Sequence, residues 1–300
     1  MKTYPYTICD VFTDQQFGGN QLAVFPHADG LTTDEMQSIA REFNFSESSF
    51  VLPGEDGCTR KVRIFTPVAE MPFAGHPNVG TAFVLATSGE LGVIGVGQKI
   101  RFLEHAGIVR INVQPDEKGA LVCELEAPQE LSLGKILPPD PVARAVSLDA
   151  EEILCTRHQP QQASVGFPFL MVELRDVAAL QKARVNPPGI DGLAALGITP
   201  DIHLYVQSRD EFDIRARMFA PFEGVGEDPA TGSANCALAG LLAQLDDRES
   251  CDLTWRIAQG VEMGRPSVLN ARASKKDGRV VATWVGGQCV LVSEGKLFLD

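Results

Sequence analysis

Apolar positions along the chain follow two periods, and each predicts its own elements. Met36, Ile39, Ala40 and Phe43 recur at the spacing of one helical face. Immediately before them, Thr32-Thr33-Asp34-Glu35 forms a T-x-x-E capping box, and Asn44 follows as a stop. A helix is therefore predicted here, turning through Phe45-Ser46-Glu47-Ser48-Ser49 into the strand Phe50-Val51-Leu52. Two alanine-rich apolar stretches, Phe83–Ala86 and Asn235–Leu245, read as further helices. Each is followed by two strands around a turn: Val109–Val113 and Ala120–Leu125, then Ser267–Ala273 and Arg279–Trp284. Glycine near the end of each turn, Gly119 and Gly278, suits a residue with positive φ.

These elements belong to an internal repeat. Arg63-Ile64-Phe65-Thr66-Pro67 leads to Gly75-His76-Pro77-Asn78-Val79-Gly80-Thr81-Ala82. About 150 residues on, Arg217-Met218-Phe219-Ala220-Pro221 leads to Glu227-Asp228-Pro229-Ala230-Thr231-Gly232-Ser233-Ala234. Both copies read R-x-F-x-P and then x-x-P-x-x-G-[TS]-A. Proline is tolerated in a first helical turn, where its missing N–H has no partner to lose. Aligned on that proline, His76 and Asp228 occupy equivalent helix starts. Two similar lobes with mostly antiparallel or mixed sheets are the architecture this implies, with helix starts converging on a cleft.

Composition narrows the function classes. The chain has 300 residues, 44% hydrophobic and 22% charged, as soluble globular proteins do. A formal net charge of -13, spread along the chain, argues against a nucleic-acid partner. The expectation is a cytoplasmic protein with no membrane span, since no apolar run reaches about 18 residues. Seven cysteines at wide spacings, without C-x-x-C, suggest apolar fillers in a reducing compartment.

Glu47 is the carboxylate that stands out, lying between Phe45 and an apolar strand, where partial burial favours its uncharged form and flanking serines can orient it. His76 and Asp228 gain weight from the repeat, and helix-start N–H groups there suit a substrate carboxylate. Asn20, after Gly18-Gly19, is a candidate substrate contact on a turn, and Glu70, in the loop before His76, reads either as a loop charge or as a group supporting the site from behind. Gly92-Val93-Ile94-Gly95-Val96-Gly97 has the wrong spacing for a dinucleotide fold; no phosphate loop or metal pattern occurs. The expectation is chemistry by side chains alone, with no cofactor and no metal.

Taken together, Asp10-Val11-Phe12-Thr13 with Gly19-Asn20, Ser46-Glu47-Ser48-Ser49-Phe50, Phe73-Ala74-Gly75-His76-Pro77 and Gly226-Glu227-Asp228-Pro229-Ala230-Thr231-Gly232-Ser233-Ala234 resemble the PhzF family of phenazine biosynthesis. The resemblance implies an α+β fold of the diaminopimelate-epimerase-like type. Two pseudo-symmetric lobes, 1–127 with 286–300 and 128–285, would each wrap a curved, mostly antiparallel sheet around a central helix, with the active site in the cleft between them. It implies that Glu47 is the acid/base residue. Asn20, Gly75, His76, Asp228, Gly232 and Ser233 would bind substrate. Gln21 and Asn78 depart from the residues usual in the family. Related epimerases use paired cysteines, absent here at both helix starts, so glutamate-driven proton relocation fits better than two-thiol inversion. The expected activity is isomerisation of a small carboxylate-bearing, cyclic amino acid-like substrate by a homodimer. A non-catalytic binding protein and a non-cysteine epimerase or racemase are the alternatives.

Overall fold

The computed structural model describes every residue except Gly95, Val96, Gly224 and Asp300, so part of the Gly92–Gly97 run lies outside the described residues. The chain divides into two compact units, Met1–Pro128 with Trp284–Asp300, and Gln129–Thr283.

Unit 1 begins with β1 (Lys2–Val11), β2 (Asn20–Phe25), α1 (Thr33–Phe43) and β3 (Glu47–Pro53). It continues through β4 (Arg60–Phe65), β5 (Glu70–Met71), α2 (Gly75–Thr87), β6 (Gln98–Glu104), β7 (Gly107–Pro115) and β8 (Leu121–Glu126). Unit 2 opens with β9 (Ser132–Ile136), α3 (Pro139–Ala145), β10 (Gln161–Ser164), β11 (Pro168–Glu173), α4 (Val177–Lys182) and α5 (Pro187–Ala195). Then come β12 (Ile202–Gln207), β13 (Ile214–Ala220), β14 (Val225–Asp228), α6 (Gly232–Gln244), β15 (Cys251–Gln259) and β16 (Ser267–Lys276). The long strand β17 (Arg279–Leu299) starts in unit 2 and returns the chain to unit 1. The protein is thus a sheet-dominated α+β fold with few helices.

In unit 1 the pairings run β1–β2–β3–β4–β6–β7–β8–β17 and back to β1, a closed barrel. Inside it, α2 packs on β1, β2, β3, β7 and β8, and every residue from Gly75 to Ala86 is buried. A helix apolar on all sides has no face for water, so it is stable only when enclosed. In unit 2 the order β9–β10–β11–β12–β13–β15–β16 supports α6, which is buried from Gly232 to Ala243.

Strand direction follows the connections. The pairs β2–β3, β4–β6, β11–β12 and β13–β15 are parallel, and each is joined by a crossover containing a helix. The outer crossover of unit 1 is α1, whose Met36, Ile39 and Ala40 cover an aromatic layer of Phe25, Phe50 and Phe65. It carries the expected capping box at Thr32 and ends on Asn44 in the left-handed conformation, φ 53°. In unit 2, α3, α4 and α5 cover the corresponding apolar face. Gly119 and Gly278 have the positive φ their turns require, 83° and 78°.

Candidate active site

In unit 1 the site is built where β2, β3 and α2 begin. Gly19 turns the chain into β2 with φ 62°, and a Cβ there would lie 2.4 Å from the Val11 carbonyl oxygen. That close approach admits only glycine and delivers Asn20, 1% exposed, to the first position of β2. Glu47 opens the neighbouring parallel strand β3, opposite Leu22. Ser49 ties β3 to the middle of α2 through a 2.6 Å hydrogen bond with Thr81. This brace fixes the distance between Glu47 and the start of α2, where His76 is the second residue.

The result is a carboxylate and an imidazole in direct contact. Glu47 Oε2 lies 2.9 Å from His76 Nδ1, with side-chain exposures of 14% and 2%. Asn20 Nδ2 lies 3.2 Å from the same Nδ1, and Ser46 Oγ donates to Asn20 Oδ1 at 3.3 Å. One ring nitrogen thus has two neighbours with opposite demands. With a proton on Nδ1 it donates to the Glu47 carboxylate; without one it accepts from Asn20, and Glu47 must carry the proton to bond it. His76 Nε2 is buried and has no hydrogen-bond partner among the described residues.

The thiols near this site are packing groups. Burial pushes the Cys9 and Cys289 thiols far up and Cys123 up to about 12, so none supplies a thiolate near neutrality. Among the described residues no group of His, Cys, Asp and Glu forms a metal-binding cluster.

The repeat expected from the sequence is present, but its second half is displaced. Arg63 and Arg217 are true counterparts. Each makes a bidentate ion pair, Arg63 with Glu70 at 2.7 and 2.6 Å and Arg217 with Glu227 at 2.7 and 2.8 Å. Each also lies over the phenyl ring two residues on, Phe65 or Phe219. Glu70 is therefore an ordered strand residue. Burial alone would raise its carboxyl, but the charge and hydrogen bonds of Arg63, helped by His105, hold it below the usual range.

From these glutamates the helices start at the same distance, Glu70 to Gly75 and Glu227 to Gly232. His76 consequently matches Ser233, the second residue of α6, and not Asp228. Asp228 ends β14 four residues before the helix, at the place of Met71. The side chains of Asn78 and Asn235 confirm the corrected register. Each donates Nδ2 to the carbonyl four residues back, Ala74 at 2.8 Å and Thr231 at 2.9 Å. Thr81 is the seventh residue of α2, while Ser233 stands at the tip of α6.

Asp228 is 7% exposed and accepts a short hydrogen bond from Thr231 Oγ1. The loop Asp228–Thr231 is held by the fully buried Gln259 at the end of β15. Its Nε2 donates to Asp228 O at 2.8 Å and Thr231 Oγ1 at 3.1 Å. Its Oε1 accepts from Asn235 Nδ2 at 2.8 Å and Thr231 N at 3.2 Å.

Comparison with known proteins gives this geometry a context. A family model described as "Phenazine biosynthesis-like protein" matches residues 9–295. The chain belongs to that family. It is 36% identical to an uncharacterized isomerase of Mesorhizobium japonicum, with all of both chains covered. It is equally 36% identical to the trans-2,3-dihydro-3-hydroxyanthranilate isomerase of Pseudomonas aeruginosa, over 98% of this chain and 99% of that one. The crystal structure of a Bacillus anthracis PhzF-family protein superposes over the full length of both, with a TM-score of 0.87 at 24% identity. This member of the family is an isomerase.

Sequence reasoning missed Gln259, Asn78 and Asn235 as organisers of the two helix starts in this PhzF-family chain. A signal existed: Gly75-His76-Pro77-Asn78 and Gly232-Ser233-Ala234-Asn235 share G-x-x-N, and that pattern has the spacing the structure uses.

Proposed function

We propose that this isomerase moves a proton on a small, carboxylate-bearing, cyclic amino acid-like substrate, with Glu47 as the acid/base residue. The observation that carries the reading is the 2.9 Å contact between the half-buried Glu47 carboxyl and the buried His76 imidazole. Glu47 takes a proton from a carbon next to an unsaturated centre, the double bond shifts, and the same carboxyl, exchanging its proton with water, delivers a proton to the far end of the shifted system. No net oxidation or reduction occurs, and His76 Nδ1 stabilises whichever state of the carboxyl is present. Acid–base assistance of this kind contributes about 10²–10⁴-fold, the remainder coming from positioning.

Asn20, Gly75 and His76 are the substrate contacts proposed in unit 1, and Asp228, Gly232 and Ser233 those proposed in unit 2. The N–H groups at the tips of α2 and α6 suit the substrate carboxylate. The matching registers of the two units support reading them as pseudo-symmetric halves. A relative named for trans-2,3-dihydro-3-hydroxyanthranilate makes that compound the first probe. Wild-type protein should convert it to a positional isomer, and Glu47→Gln should lose at least about 10²-fold in kcat. A product differing from the probe only in configuration, or an unimpaired Glu47→Gln, would contradict the reading.

A further inference from the structure

One buried acid in unit 1 has no role in the chemistry described so far. Glu104 ends β6, and its side chain lies on the buried face with Ile100 and Phe102. It is 8% exposed, and neither carboxyl oxygen has a hydrogen-bond partner among the described residues. A buried carboxylate in that condition is costly, because it needs donors or a cation to replace water.

Cations on the neighbouring elements are engaged elsewhere. On β4, Lys61 pairs with Glu55 at 2.6 Å and Arg63 with Glu70. His105 also binds Glu70, His76 on α2 binds Glu47, and Arg110 on β7 lies with Glu126. The groups acting on Glu104 are the Asn78 amide and the like charge of Glu47. Burial and Glu47 outweigh Asn78 and push the Glu104 carboxyl well above the usual range.

Sheet register identifies what this position does. In unit 1, Arg60 pairs with Phe102 and Lys61 with Leu103, which brings Glu104 next. In unit 2, Ile214 pairs with Ile257, Arg215 with Ala258 and Ala216 with Gln259. With Arg63 matched to Arg217, Glu104 takes the place of Gln259. The Asn partners match as well, Asn78 beside Glu104 and Asn235 bonded to Gln259. A protonated carboxyl is the near-isostere of a primary amide, offering a carbonyl acceptor and one donor; a carboxylate offers acceptors only.

We propose that Glu104 is a positioning residue for the Glu47–His76 pair: a neutral carboxylic acid that pins the chain entering α2 as the Gln259 amide pins the chain entering α6. Its O–H takes the place of the Gln259 Nε2–H groups, toward the carbonyls of the Met71–Ala74 segment, and its C=O takes the place of Oε1 beside Asn78. Because it stays uncharged, Glu47 remains the sole negative charge of the pair. That last role rests on Glu47 being the acid/base residue proposed above.

The test separates the two claims. The infrared difference spectrum of wild type minus Glu104→Gln, near neutral pH and without substrate, should show the C=O stretch of a protonated carboxylic acid. With trans-2,3-dihydro-3-hydroxyanthranilate as probe, Glu104→Gln should keep kcat within a few-fold of wild type. Glu104→Ala should lose roughly 10–100-fold in kcat, as small misplacements of reacting groups do. A carboxylate band in place of the acid band would overturn the proposal, as would a Glu104→Gln as impaired as Glu104→Ala. A wild type that leaves the probe untouched would count against the substrate reading, while the infrared result would still decide the state of Glu104.

Discussion

The two units solve one structural problem with different chemistry. Each must hold the tip of an enclosed helix against the end of a strand, and each uses a G-x-x-N start with an Arg–Glu pair beside it. In unit 1 the tip residue is His76, in contact with a carboxylate at 2.9 Å, and the buried strand-end group is an acid, Glu104. In unit 2 the tip residue is Ser233 and the strand-end group is an amide, Gln259. The frame is shared, and the side chains mounted at its helix tip and strand end differ. A common scaffold therefore leaves the chemistry to a few side chains at fixed positions.

The Arg–Glu pairs offer the largest test of the shared frame. Arg217 is 3% exposed and also donates to the Leu180 and Ala183 carbonyls at 2.8 and 2.9 Å, tying down α4. Arg63 has a more exposed side chain, at 16%, and adds Thr33 of α1 at 3.1 Å. Arg217→Ala should cost about 3–5 kcal/mol by urea unfolding, since it leaves Glu227 without its cation. Arg63→Ala should cost about 1–2 kcal/mol. Equal costs would mean that burial does not distinguish the two pairs.

Opposite pH responses come next. Burial lowers the His203 imidazole to about 4, with the Asn235 amide opposing. The unfolded chain takes up that proton near pH 6.5 and the folded chain does not. Stability should therefore fall as pH drops from about 6.5 to about 4, by on the order of 3 kcal/mol from this group. Glu104 is raised, so its contribution is complete below the ordinary glutamate range and fades as pH climbs toward its folded value. Unfolding measured across pH should show the slope between about pH 6.5 and 4 shrink in His203→Gln and the alkaline-side slope shrink in Glu104→Gln.

His76 and Ser233 share a position and should differ in consequence. His76→Phe should lower kcat by about 10²-fold, the scale of a lost acid–base partner. Ser233→Ala should change kcat/KM by only about 5–10-fold, the scale of one hydrogen bond. Comparable losses would make the two tips chemically equivalent after all. The smallest expected effect is Thr32→Ala at the start of α1, about 1 kcal/mol of stability from the lost cap.

How much of this was readable in the residues depends on how local each signal is. The α1 helix was legible because Thr32, Glu35 and Asn44 act on their own turns. The Arg-x-Phe repeat was legible because both arginines serve the same ion pair. Glu47 and His76 were each singled out, and the structure places them in contact. The equivalence of His76 with Asp228 was wrong for a physical reason. Pro77 lies inside the first turn of α2, where its missing N–H costs nothing, whereas Pro229 lies in the loop before α6. Proline suits both settings, so matching on it shifted the second copy by five residues. Glu104 and Gln259 were invisible because nothing in their neighbours announces them; only strand register brings them to the helix tips.

Isotope exchange reads most directly whether Glu47 carries the substrate proton, as proposed. In deuterated water, wild-type protein turning over trans-2,3-dihydro-3-hydroxyanthranilate should place a deuterium on the product carbon that receives the proton, detected by mass spectrometry. Glu47→Gln, folded by circular dichroism, should yield neither product nor exchange. Exchange at the wild-type rate in Glu47→Gln would contradict the claim.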